Sequence, residues 1–111
     1  MRAFVIVILL LALAWSYAYP HDAGRPDLNG WFESLHSGKG PCCSNADGTA
    51  LADVDWKTHD GRYVVRIDDQ WIDVPPEAVI DGPNLEGRAW VWPVRGYLGT
   101  SIRCFMPNGG T

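Results

Sequence analysis

Large hydrophobic residues recur with a helical period in one early segment of the chain. The stretch PDLNGWFESLHSGKG places its large apolar residues on one helical face: Leu28, Trp31, Phe32 and Leu35. Gly38 follows this face and acts as a C-terminal stop signal. The pattern therefore predicts a short amphipathic helix that packs its apolar face on the rest of the domain.

The period changes from helical to alternating in the second half of the chain. The stretch GRYVVRIDDQWIDVP predicts a β-hairpin, with its turn at residues 68–70 and its return strand at 71–74. Two faces alternate along the first strand: Tyr63, Val65 and Ile67 on one, Val64 and Arg66 on the other. The following PPEAVI predicts a single helical turn opened by proline.

A second pair of alternating runs closes the chain. RAWVWPV and SIRCFMP are joined by the glycine-bounded turn GYLGT, which predicts a second hairpin. In the last strand, alternation places Ile102, Cys104 and Met106 on one face. ALADVDWKTHDG adds a strand through Val54 and Trp56. The predicted fold class is α+β and mostly β, with a short N-terminal helix on a small antiparallel sheet or partly open barrel.

The N-terminus has the three-part layout of a secretory signal peptide. A positive start precedes the uncharged run AFVIVILLLALAW and the small residues before Ala18. An uncleaved anchor is the alternative, but a span needs about 20 apolar residues. We predict a signal peptide at residues 1–18 and a single small β-rich domain at 19–111, periplasmic or secreted, with no membrane contact after cleavage.

The charge balance argues against nucleic-acid binding. The formal net charge is −4, and signal cleavage makes it one unit more negative by removing Arg2. Binding to phosphates requires clustered Lys and Arg. Lys39 and Lys57 are the only lysines, and the arginines are dispersed.

Three cysteines are candidates for cross-linking: Cys42, Cys43 and Cys104. An oxidising compartment favours a structural disulfide between Cys104 and one of the vicinal pair. Closing a loop of about 60 residues stabilises a fold by roughly 4 kcal/mol in the chain-entropy model. The remaining thiol would be buried and inert, form a disulfide-linked dimer, or react with a small thiol. A vicinal Cys42–Cys43 bond would instead suit a redox switch.

Catalytic chemistry has little support in the sequence. Cys42 or Cys43 could form a thiolate–imidazole couple with His36 or His59, but no CxxC spacing is present. The histidines and cysteines also lack the paired spacing of a zinc site. The sequence therefore predicts no catalytic residue, no metal ligand and no cofactor, and favours a non-enzyme.

The tryptophans provide the candidate binding face. Trp90 and Trp92 share one strand face with Arg88, and Trp71 shares another with Asp73. Exposed aromatic residues of this kind can stack on a sugar or contact a partner protein. The sequence nevertheless favours a core position for most of the tryptophans, because a small domain has few other large apolar residues.

Five segments in a fixed order carry a family resemblance: WFESL, CCSNAD, GRYVVRI, RAWVW and RCFMPNGGT. This order resembles small exported proteins of alphaproteobacteria of the rhizobial type, which carry a vicinal CC pair and a C-[FY]-x-P ending. The anchors are Cys42, Cys43, Asp47, Cys104, Phe105 and Pro107. A further cysteine typical of the family is missing, because Asp47 is followed by Gly48.

The resemblance implies a periplasmic or secreted location and supplies no catalytic residue. The leading hypothesis is a non-enzymatic binding or structural envelope protein that binds an envelope protein or a glycan through its aromatic face. The alternative is a thiol-redox protein that uses the vicinal cysteines.

Overall fold

Short strands and helical turns alternate along the chain. A computed structural model describes residues 24–43 and 46–109, so the predicted signal peptide lies outside the described residues. The helical elements are the 3₁₀ turn Pro26–Leu28, the helix α1 (Asn29–Ser34), and the 3₁₀ turns Asp53–Asp55 and Pro76–Ala78. The strands are β1 (His36–Ser37), β2 (Gly40–Pro41), β3 (Thr49–Leu51), β4 (Trp56–His59), β5 (Arg62–Ile67), β6 (Gln70–Asp73), β7 (Ala89–Gly96) and β8 (Gly99–Met106).

The strands form three separate antiparallel sheets. Their orders are β1–β2, β3–β7–β8 and β4–β5–β6. The prediction of a mostly β fold with one short helix is confirmed. The prediction of a partly open barrel is wrong, because β3 pairs with the distant β7 and β4 pairs with β5, so among residues 24–43 and 46–109 no ladder connects the two larger sheets.

The β3–β7–β8 sheet is covered on both faces. On one face, Trp90 and Trp92 pack with Phe32 of α1. On the other face, Ala89 and Val91 pack with residues of the β4–β5–β6 sheet, including Val65. Five consecutive residues of β7 are buried, as expected for a strand with a layer on each side. The predicted helix thus packs its aromatic face on β7.

A β-bulge interrupts the pairing of β7 with β8. Trp92 is opposite Cys104, whereas the next residue, Pro93, is opposite Ile102. The irregularity falls at a proline, which has no N–H for the ladder. Because one residue of β8 is skipped, Ile102 packs with Phe105 rather than with Cys104. The predicted common face of Ile102, Cys104 and Met106 is therefore wrong for Ile102.

The β1–β2 hairpin binds the strand at this bulge. The Ser37 hydroxyl donates to the backbone carbonyl of Arg103 (2.7 Å), and the Lys39 ammonium donates to that of Ile102 (2.8 Å). The Arg103 guanidinium in turn donates to the carbonyl of Pro41. These bonds tie the β1–β2 hairpin to β8 beside the bulge.

The β5–β6 hairpin follows the sequence pattern closely. Asp68 and Asp69 form its turn with φ of 51° and 63°. Two successive positive φ angles are typical of a hairpin turn, and Asp tolerates them better than most residues. Trp56 begins β4 as predicted, whereas Val54 lies in a 3₁₀ turn rather than a strand.

Candidate functional site

The structural disulfide joins Cys42 to Cys104. Their Cα atoms are 5.6 Å apart across a sequence separation of 62 residues, and both side chains are fully buried. The bond ties the segment after α1 to the strand that lies beside β7. This confirms the predicted bridge from Cys104 to one of the vicinal pair and identifies Cys42 as its partner.

Cys43 remains a thiol and is only partly exposed. Its Sγ lies 3.7 Å from the carbonyl oxygen of Phe32, to which it donates. Burial raises the pKa of the Cys43 thiol; the Trp92 indole acts in the opposite direction, and the charges of Glu33 and Asp47 raise it further. A thiol with a raised pKa forms little of the reactive thiolate. Because Cys42 is bonded to Cys104 and Cys43 is only partly exposed, the structure gives no support to the thiol-redox alternative, and a dimer through Cys43 stays a prediction.

The candidate aromatic face is divided by the fold. Trp90 and Trp92 are only 4% and 0% exposed, whereas Trp71 is 43% exposed. The ring centroid of Phe32 lies 4.8 Å from that of Trp90. Trp90 and Trp92 thus belong to the core beneath α1 and are removed from the candidate face, while Trp71 lies on another sheet.

Arg88 holds the loop that precedes β7. Its guanidinium lies 2.6 Å from a Glu86 oxygen, and the other oxygen of that carboxylate accepts from the Trp90 indole at 2.6 Å. Burial opposes ionisation of Glu86, but the hydrogen bonds from Trp90 and Arg88 prevail and lower its pKa. Arg88 therefore has a structural contact here and does not lie beside Trp71.

The outer face of the β4–β5–β6 sheet surrounds Trp71. The ladder places Arg66 opposite Trp71, and Val64 between Lys57 and Asp73. We call this the Trp71 surface, and its residues are Lys57, His59, Arg62, Val64, Arg66, Trp71 and Asp73. The opposite face of the same sheet carries Val65 and packs on the core.

Two cations lie close to the Trp71 ring. The Lys57 ammonium is 4.3 Å from the ring centroid, and the Arg66 guanidinium carbon is 5.6 Å from it. Arg66 is also held by Asp55, whose carboxylate accepts from its Nε at 2.8 Å. An exposed indole flanked by cations can bind a flat ligand that carries negative charge.

The cationic residues of this surface were missed by sequence reasoning. Alternation already placed Arg66 and Val64 on one strand face, but no local pattern shows that Lys57 of β4 lies diagonally across from Trp71 of β6. That neighbourhood depends on the order of three strands, which the sequence pattern does not specify.

A second exposed feature is the tip of the β7–β8 hairpin. Tyr97 and Leu98 are fully exposed between Gly96 and Gly99. The structure confirms a glycine-bounded turn at this position. Tyr97 and Leu98 belong to neither core cluster. Tyr97 therefore serves as an exposed aromatic control residue away from the Trp71 surface.

Across residues 24–43 and 46–109, no group of three His, Cys, Asp or Glu side chains is arranged to hold a metal ion. In the same residues, no helix is long and apolar enough to span a membrane. The chain matches no protein-family model, and comparison with curated proteins and with solved structures finds no similar protein. The resemblance to exported alphaproteobacterial proteins stays a prediction.

Proposed function

We propose that this chain is an exported, non-enzymatic binding protein of the bacterial envelope or its surroundings, and that the Trp71 surface binds its ligand. The observation that carries the proposal is the exposure of Trp71, a large aromatic side chain that the core does not cover. Most large aromatic residues of so small a fold are needed in its interior. The exposure of this one, beside Lys57 and Arg66, favours a role in binding.

Export is supported by two independent features. Residues 1–18 have the layout of a signal peptide, and the Cys42–Cys104 disulfide is of a kind that persists in oxidising compartments. When the full chain is produced with its leader in a bacterial host, we expect a periplasmic product that begins at Tyr19. Mass spectrometry of the non-reduced product measures both the cleavage site and the bridge.

The binding proposal is tested with Trp71→Ala and a panel of soluble polysaccharides, neutral and acidic. We expect at least one polysaccharide to bind the mature protein and Trp71→Ala to weaken that binding about tenfold, the effect of a central aromatic contact. Tyr97→Ala is the matched control, because Tyr97 is an exposed aromatic residue at the β7–β8 tip. Equal losses in the two variants would contradict a specific role of the Trp71 surface.

A further inference from the structure

We infer that the ligand of the Trp71 surface is an acidic polysaccharide, with a sugar ring packed against the part of the Trp71 indole that Lys57 leaves exposed and with carboxylates held by Lys57 and Arg62. This inference rests on the proposed binding function and adds the chemical class of the ligand. It is carried by the distribution of cationic groups over the described residues.

Six of the eight Lys and Arg side chains in the described part of the chain already have anionic or carbonyl partners. Four of them contact carboxylates: Arg25 with Asp27, Arg66 with Asp55, Arg88 with Glu86 and Arg95 with Asp68. Two donate to backbone carbonyls: Lys39 to Ile102 and Arg103 to Pro41.

The two Lys and Arg side chains that remain both lie on the Trp71 surface. Within the described residues, neither Lys57 nor Arg62 has a carboxylate within ion-pair distance. Lys57 instead lies over the Trp71 ring. Two cations without a carboxylate partner, side by side on one surface, favour a ligand that brings its own carboxylates.

The arrangement of these groups is linear rather than pocket-like. Arg62, Val64 and Arg66 are successive outward positions of β5, so the row spans about 14 Å at roughly 3.4 Å per residue. Trp71 lies beside the Arg66 end, and Lys57 lies beside the centre. An extended polymer can contact the aromatic ring and the cations at once along such a row.

The flat indole favours an acidic polysaccharide over other anionic polymers. A pyranose ring has an apolar face of C–H groups that stacks on an aromatic ring, while its polar edge remains available for charged contacts. A peptide that joins a sheet pairs with a strand edge and not with the sheet face. Duplex DNA carries one charge per about 1.7 Å and requires a denser basic patch than two available cations on an acidic chain.

Removing the negative charge of Asp73 should change binding of an acidic polysaccharide in the opposite direction from removing the cations. Asp73 is the acidic member of the residues that define the Trp71 surface, and it lies across Val64 from Lys57. A like charge beside the ligand weakens polyanion binding. Asp73→Asn should therefore tighten binding of an acidic polysaccharide about twofold and leave binding of a neutral one unchanged.

The deciding experiment measures calorimetric binding of polygalacturonate to the mature, disulfide-bonded protein. The comparison ligands are its carboxyl-reduced form, neutral dextran and polyglutamate. We expect polygalacturonate to bind most tightly and salt to weaken it, and we expect Lys57→Gln/Arg62→Gln to weaken it about tenfold. Arg25→Gln/Arg95→Gln is the matched control, because it removes the same charge away from the Trp71 surface and should leave affinity nearly unchanged.

The other outcomes separate the inference from the proposed function. Equal binding of the carboxyl-reduced polymer or of dextran, still sensitive to Trp71→Ala, would overturn the acidic ligand and leave the binding function standing. Equal binding of polyglutamate would overturn the assignment of a sugar. Binding of no polysaccharide would overturn both the inference and the glycan form of the proposed function. The melting temperature of each variant shows whether it is folded.

Discussion

Gly48 shows how closely the backbone approaches the core on the Trp92 side of the sheet. A Cβ atom added at this position would lie 2.6 Å from Nε1 of the Trp92 indole. Trp92 is fully buried and is packed against Phe32 and Cys104, so it has little room to move. The Trp92 indole can therefore keep its position only because residue 48 has no side chain.

We predict that Gly48→Ala destabilises the fold by about 1–3 kcal/mol, the usual range for overpacking a tight core. The free energy of unfolding in urea measures the effect. Gly30→Ala is the control, because a Cβ at Gly30 meets nothing within 4 Å and alanine favours a helix. That variant should be more stable by about 0.5–1 kcal/mol. A neutral Gly48→Ala would contradict the close packing of Trp92.

At the scale of elements, the loop before β7 is held by one carboxylate. Glu86 accepts hydrogen bonds from the side chains of Trp90 and Arg88, and also from the Arg88 backbone at 3.1 Å. Its side chain is only 6% exposed. The ionised form is thus bound more strongly in the folded chain than in the unfolded chain.

A pH dependence follows from the lowered pKa of Glu86. A carboxyl whose folded pKa lies below its unfolded value stabilises the fold above the unfolded pKa and loses that contribution as pH falls through the folded pKa. We predict that part of the free energy of unfolding is lost as pH falls below about 4.5. Glu86→Gln should flatten this part of the profile, whereas the exposed Glu77→Gln should preserve it. Equal profiles for wild type and Glu86→Gln would contradict the prediction.

Local patterns predicted the hairpins but not their assembly. Alternation and the Asp68-Asp69 turn specify β5 and β6, because strand period and turn chemistry are encoded by neighbouring residues. The bulge at Pro93 moves the Ile102 side chain to the opposite face of the sheet. The position of the bulge depends on the pairing of two strands and is not encoded by neighbouring residues. Likewise, alternation placed Trp90 and Trp92 together on one face but could not show that α1 covers that face.

At the scale of the whole molecule, the candidate site and the core are separated by the β4–β5–β6 sheet. Its inner face packs on the sheet that contains the disulfide-bonded strand, while its outer face carries Trp71 and the cations. Substitutions of the exposed side chains on the Trp71 surface should therefore change binding with little effect on stability. The disulfide should show the reverse behaviour, because it lies in the core on the far side of β7.

The vicinal cysteines allow the assigned disulfide pairing to be tested at two adjacent positions. We predict that Cys42→Ala/Cys104→Ala lowers the free energy of unfolding by roughly 4 kcal/mol, because the bond closes a loop of about 60 residues and restricts the unfolded chain. Cys43→Ala, one residue away, should cost no more than about 1 kcal/mol, because Cys43 lies outside the bridge and is partly exposed. Urea denaturation with and without reductant measures both effects, and reductant should destabilise the wild type and Cys43→Ala alike. If Cys43→Ala were as unstable as the double variant, or insensitive to reductant, the assigned pairing would be wrong.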